Sequence, residues 1–245
     1  MPQAYWVTPL GWYHLIVFGL LIPLGAVRGR RKLAARPLPS RTRHFVLTTV
    51  TLMLFCALSL WTARDHALPL FPRAWPRPAG VVAGAVLLIV AVGFMRPRWR
   101  RAVERRARIA YLFMPRSGPE RALWTLVAAT AGVSEETIWR GVQPALLWAV
   151  VGDPYLAAGL SAVSFGVAHM LQGWRSAVVI TGLALGFQIV VVLSGSLYVA
   201  MAVHFIYDLT AGLTYGRLGR ELGYPDAPQP PAAPVEAGTA GGPGL

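Results

Sequence analysis

A single cysteine, Cys56, excludes an intrachain disulfide and any cysteine-based metal cluster. Charge is scarce as well. Only 13% of the 245 residues are Asp, Glu, Lys or Arg, about half the share in a soluble domain. Acids are the rarest, 10 against 23 Lys and Arg, which gives a net charge of +13. Such basicity can signal nucleic acid. Here the basic residues sit in short loops between apolar segments, where membrane topology accounts for them, so no nucleic-acid partner is expected. The first apolar segment has no basic stretch before it and no signal-peptidase pattern after it. It reads as a retained span. No internal repeat is visible.

Apolar residues are abundant, at 55% of the chain. Runs near the roughly 20 residues that cross a bilayer recur along it. They predict an all-α, polytopic membrane helix bundle of about seven spans: residues 6–27, 44–61, 79–95, 121–150, 155–171, 174–193 and 197–215. The fourth is too long for one straight span. It must tilt, break near Gly132 or begin with an interfacial turn. The loops Arg28–Arg43 and Arg96–Arg121 hold seven and nine Lys or Arg, and Thr62–Pro78 between them holds three. Basic loops face the cytoplasm, which puts the N-terminus outside and the C-terminus inside. The stretch Arg96–Phe113 reads either as a helix lying on anionic lipid or as a loop that fixes topology. Gly80-x-x-x-Gly84 and Gly182-x-x-x-Gly186 are small-residue patterns that let helices approach. Residues 1–222 form the membrane domain, and the Pro-, Ala- and Gly-rich 223–245 reads as a disordered tail. The expected setting is the plasma (inner) membrane, with lipids as partners.

Against this background a few ionisable residues stand out. Arg140 is the one Lys or Arg inside a span rather than at its end, and Glu135, Glu136 and Asp208 are the acids there. His14, His169 and His204 are the span histidines. An acid at mid-membrane costs about 2.5–3.5 kcal/mol, so each needs a reason. Glu136 and Arg140 are i, i+4 on one helix face and can pair. Glu135 is rotated by roughly 100° from its neighbour and can stay free as a base. His204 and Asp208 are again i, i+4, so Asp208 can orient His204 or act beside it. Phe165 and His169 repeat the spacing. Singly, each has a plain structural reading: a Glu136–Arg140 staple, Phe165 as packing, His14 as a hydrogen-bonded packing residue. Together, the residues on three spans resemble a polar site inside a bundle.

EETIWR (Glu135–Arg140), FGVAH (Phe165–His169) and HFIYD (His204–Asp208) resemble the motifs E-E-x-x-x-R, F-x-x-x-H and H-x-x-x-N/D of the CPBP intramembrane proteases. That family is also called the ABI or CAAX-protease family. It includes endoproteases that trim prenylated proteins and members linked to bacteriocin immunity. The resemblance places a protease core at about residues 118–218. It implies Glu135 as general base, His169 as its partner in activating water, and His204 with Asp208 at the oxyanion. Glu136, Arg140 and Phe165 would support them. Where Asn could donate a hydrogen bond, an ionised Asp208 cannot. Asp208 is then protonated, orients His204 or binds a metal. The family is commonly labelled metalloprotease, and Glu135, His169, His204 and Asp208 suit Zn²⁺ in ligand type.

The reading that results is an endopeptidase that cleaves a membrane-associated protein or peptide near the cytoplasmic face. Two rivals use the same residues: a non-catalytic binding or immunity protein, and a proton-coupled transporter.

Overall fold

The computed structural model describes residues 6–72 and 74–227. Those residues form nine α-helices and no strand: α1 (Pro9–Ile16), α2 (Ile22–Ala35), α3 (Arg41–Asp65), α4 (Pro78–Glu104), α5 (Gly118–Glu136), α6 (Gln143–Val151), α7 (Pro154–Ala168), α8 (Trp174–Ser194) and α9 (Leu197–Glu221). A π-turn over Val17–Leu21 joins α1 to α2, and a second over Thr137–Val142 joins α5 to α6. Five helical stretches are long and apolar enough to cross a membrane: Pro9–Arg30, α3, α4, α8 and α9. Helix α7 is apolar but only 15 residues, roughly 22 Å. Large apolar side chains such as Leu54, Ile89, Val178 and Val192 face outward, while Glu136, Arg140, Gln143 and His204 are buried. This is the pattern of an integral, multi-pass membrane protein.

Local sequence sets the helix starts. The side chains of Thr8, Ser40, Ser117, Asp153 and Ser196 each accept a backbone N–H of the turn that follows. Such caps satisfy donors that the helix itself leaves orphaned. Proline fills the first turns of α1, α4, α5 and α7, where its missing N–H costs nothing.

Helix α5 packs on α3 and α9, α4 packs on α8 and α9, and α7 packs on α6 and α8. The fourth apolar run does not break at Gly132. That glycine instead marks a close approach, since a Cβ there would lie 2.8 Å from the Met201 carbonyl oxygen of α9. At Gly212 a Cβ would lie 2.0 Å from Trp124 Nε1. That indole N–H donates to the Asp208 carbonyl at 3.0 Å. The small-residue patterns are used unevenly. Gly80 abuts Ser194 and Gly84 abuts Val199 and Val203, but Gly182 meets nothing within 4 Å.

The basic stretch after residue 95 does not lie flat on lipid. Helix α4 continues through Pro97 to Glu104. Its Trp99 and Val103 pack with Ala110, Tyr111 and Leu112 of a 3₁₀ turn and with Leu218 and Tyr224. The apolar face that lipid would need is therefore spent on the protein.

Arg41 ties this end together. Its guanidinium donates to Glu120 Oε1 at 3.0 Å and to Asp226 Oδ1 at 2.6 Å, and packs on the Tyr111 ring. Tyr224 is buried and its hydroxyl donates to the Ala107 carbonyl. So residues 223–227 of the expected tail are held on the bundle. Residues 228–245 lie outside the described residues. Arg41 holds the Asp226 carboxyl below its ordinary value of 3.8. Burial alone would raise Glu120 above its ordinary 4.5, but the Arg116 and Ser117 N–H groups and Arg41 outweigh it and lower it. A lowered carboxyl stabilises the fold fully above its unfolded pKa and loses that contribution as pH falls through its folded one. The thermal midpoint should thus drop with acidification below about pH 4.5, with a shallower drop in Arg41→Leu. Melting curves across pH 3–7 check this.

Candidate active site

Glu135 and Glu136 are the last residues of α5, followed directly by the Thr137–Val142 π-turn. Being adjacent, they leave the helix in different directions. Both nevertheless reach the same imidazole, from opposite sides. Glu136 Oε1 accepts from His204 Nδ1 at 2.7 Å. Glu135 Oε2 stands 3.7 Å from His204 Nε2, and Asp208 Oδ2 stands 3.5 Å from it. With Nδ1–H committed to Glu136, Nε2 is the nitrogen that faces Glu135 and Asp208. The close approach at Gly132 brings α9 near enough for this.

Exposure separates the two glutamates. The Glu136 side chain is 0% exposed and that of Arg140 1%, against 15% for Glu135 and 28% for Asp208. Glu136 and Arg140 form the predicted i, i+4 pair, Oε1 to an Arg140 terminal nitrogen at 3.2 Å. The arginine is held by charge and ring faces. Its guanidinium lies 4.3 Å from the Phe165 ring centre and 5.1 Å from that of Phe187. Neither of its terminal nitrogens has an aligned hydrogen-bond partner among the described residues.

His169 caps α7 and is half-buried. Its Nδ1 donates to the Phe165 carbonyl at 2.8 Å, which leaves Nε2 free. Its ring also packs on Phe165, with centres 4.5 Å apart. His169, His204 and Asp208 all lie close enough to the Glu135 carboxylate to act on its charge. The shortness of α7 ends that helix inside the bundle, so His169 reaches the depth of Glu135, which lies about midway along the α5–α6 rod.

His14 is not part of this cluster. It is fully buried, and its Nε2 lies 3.0 Å from Ser59 Oγ, as a packing histidine does. Three residues around the site were not singled out from the sequence. Phe187 packs on Arg140 and on the His204 ring. Ser161 and Gln188 both donate to the Trp139 carbonyl. A polar Gln188 within an apolar span was the one available signal.

Zinc fits these residues in chemistry but not in placement. Among the described residues no three His, Cys, Asp or Glu side chains converge into a metal-ligand set. The Nδ1 atoms of His204 and His169 are engaged by Glu136 and a carbonyl, which would leave each Nε2 as the ligating atom, but the described residues around them do not close a ligand set.

Residues 118–210 match the family model described as type II CAAX prenyl endopeptidase Rce1-like. No curated protein and no solved structure matches the chain. The matched stretch starts with α5, ends within α9 and contains Glu135, Glu136, Arg140, Phe165, His169, His204 and Asp208; α1–α4 lie outside it. Over these residues the chain is similar to the Rce1-like type II CAAX prenyl endopeptidases, which supports a protease domain of that kind.

Proposed function

We propose that the chain hydrolyses a peptide bond of a membrane-associated protein or peptide with Glu135 as general base. Cleavage falls toward the end of the bundle that carries the basic loops, which Lys and Arg bias assigns to the cytoplasm. One observation carries the reading: two adjacent glutamates bracket His204, and only the one beside Nε2 is partly exposed. Glu135 takes a proton from water while the oxygen attacks the carbonyl carbon. His169, through its free Nε2, holds that water against Glu135. The oxyanion that forms is met by His204, which acts as an imidazolium among Glu136, Glu135 and Asp208: Nδ1–H stays on Glu136, and Nε2–H is the donor that Glu136 preorganises. Glu135 then delivers its proton to the leaving amine as the C–N bond breaks, and the products are a carboxylate and an amine. Asp208 sits beside His204 Nε2 and helps to place it.

Nothing favours transport. Transport sites are built from unwound helices, whereas both π-turns here keep their helices continuous.

The test is a quenched peptide, with and without a prenyl group, offered to the purified protein in liposomes. His169→Ala should cut cleavage by at least about 100-fold. Cleavage by this variant at the wild-type rate would remove the water-activation role. The same assay with a chelator assigns the chemistry. Retained turnover leaves it to the carboxylates and imidazoles, and a loss reversed by Zn²⁺ assigns it to a metal.

A further inference from the structure

The π-turn that follows the two glutamates leaves one backbone carbonyl without its ordinary partner. In an α-helix the Trp139 carbonyl would accept from Gln143 N–H. That N–H goes one residue further back, to Ile138. In π-register the donor would be residue 144, which is Pro144 and has no N–H. A buried carbonyl must find another donor. Two side chains supply it: Ser161 Oγ on α7 at 2.8 Å and Gln188 Nε2 on α8 at 3.0 Å.

The first π-turn repeats the arrangement. Ile22 N–H goes back to Val17, Pro23 has no N–H, and the Phe18 carbonyl accepts from Ser164 Oγ at 2.8 Å. Two serines three residues apart on α7 thus serve two proline-made π-turns. The turns also touch, since the Phe18 and Trp139 rings pack edge to face with centres 5.6 Å apart. They differ in what they carry. The residue after Trp139 is Arg140, which pairs with Glu136, which holds His204 Nδ1. Ser161 lies one helical turn before Phe165, and Gln188 directly follows Phe187. So the helices that anchor the carbonyl are those whose rings sandwich the guanidinium.

We propose that Ser161 and Gln188 are positioning residues for peptide hydrolysis. By holding the Trp139 carbonyl they fix the π-turn that aims Arg140 at Glu136, and hence the orientation of the His204 imidazole. The inference rests on the hydrolytic reading above. Arg140 makes it necessary: with no aligned hydrogen bond on its terminal nitrogens among the described residues, the guanidinium is aimed by its backbone and stacking partners, and its charge attraction to Glu136 does not fix direction. Neither Ser161 nor Gln188 touches the reacting atoms.

Ser164→Ala is the control, because it deletes a buried serine bond to the other π-turn and, beyond that, only the longer 3.3 Å contact from the Gln143 side chain, leaving the Trp139 carbonyl its two donors. Ser161→Ala and Gln188→Leu should each lower kcat about 10- to 100-fold, as small misplacements of catalytic groups do, with KM changed less than about twofold. Ser164→Ala should lower the thermal midpoint by as much as Ser161→Ala and leave kcat near wild type. Ser161→Thr, which keeps the hydroxyl, should restore most of the turnover. Wild-type cleavage that disappears in Glu135→Gln, run alongside, checks the hydrolytic reading separately. With that intact, the inference is overturned if Ser161→Ala turns over like Ser164→Ala, or if Ser161→Thr is as slow as Ser161→Ala. Should Ser161→Ala not fold, Gln188→Leu against Ser164→Ala decides in the same way.

Discussion

Glu135→Gln should abolish peptide cleavage, with kcat down by about 10²–10⁴-fold, while the fold stays as stable as wild type or more so. The substitution keeps the size and shape of the side chain and removes only its basicity. Among the described residues Glu135 makes no hydrogen bond, and it lies 3.7 Å from His204 Nε2, in a cluster that also holds Glu136 and Asp208. Removing this largely buried charge ends its desolvation and its repulsion from Glu136 and Asp208, which together offset the lost attraction to His204 at 3.7 Å. Kinetics on the liposome-embedded protein and melting curves in detergent measure the two effects. A variant that cleaves at the wild-type rate would leave the site without a base and end the hydrolytic reading.

The neighbouring residue should behave in the opposite way. Glu136 is wholly buried between the Arg140 guanidinium and His204 Nδ1. Glu136→Gln leaves Arg140 as an uncompensated buried charge, and breaking a buried pair from one side costs about 3–5 kcal/mol. A large fall in the thermal midpoint is therefore expected. Arg140→Met should fall similarly, because it strands Glu136. The double variant Glu136→Gln, Arg140→Met should recover much of the loss, since replacing both partners of a buried pair is often near neutral. If the double variant loses the sum of the two single losses, the pair does not act as a unit. Activity in all three should be low, because His204 loses the acceptor that fixes its ring. Thus of two adjacent glutamates, one should be needed for turnover and the other for the fold.

Much of the site was legible before any coordinates. The Glu136–Arg140 pair, and the shared faces of Phe165 with His169 and of His204 with Asp208, follow from helix geometry once the spans are read as helices. Their cost in a bilayer marks them as meaningful. The orientation of His204 was not legible. Asp208, one turn away, was the natural candidate to orient its ring, yet Glu136, 68 residues distant in the chain, takes Nδ1. The long fourth span pointed to a tilt, a break at Gly132 or an interfacial turn. The chain instead widens five residues later, where Pro144 cannot donate and a π-turn absorbs the loss. The basic stretch at residues 96–113 allowed two readings, because an amphipathic pattern does not reveal whether its apolar face meets lipid or protein.

The amino-acid order alone determined that this is an all-helical membrane protein, and it named the residues whose charge a bilayer would not otherwise tolerate. Both are local properties: hydropathy sums along a span, and spacing fixes which side chains share a face. Tertiary structure decided which ring nitrogen each glutamate addresses, which glutamate stays partly exposed, and which side chains support the carbonyl that Pro144 abandons. Those outcomes depend on how close two helices come, and a missing Cβ at Gly132 and a short α7 set that distance only when the partner helices are in place.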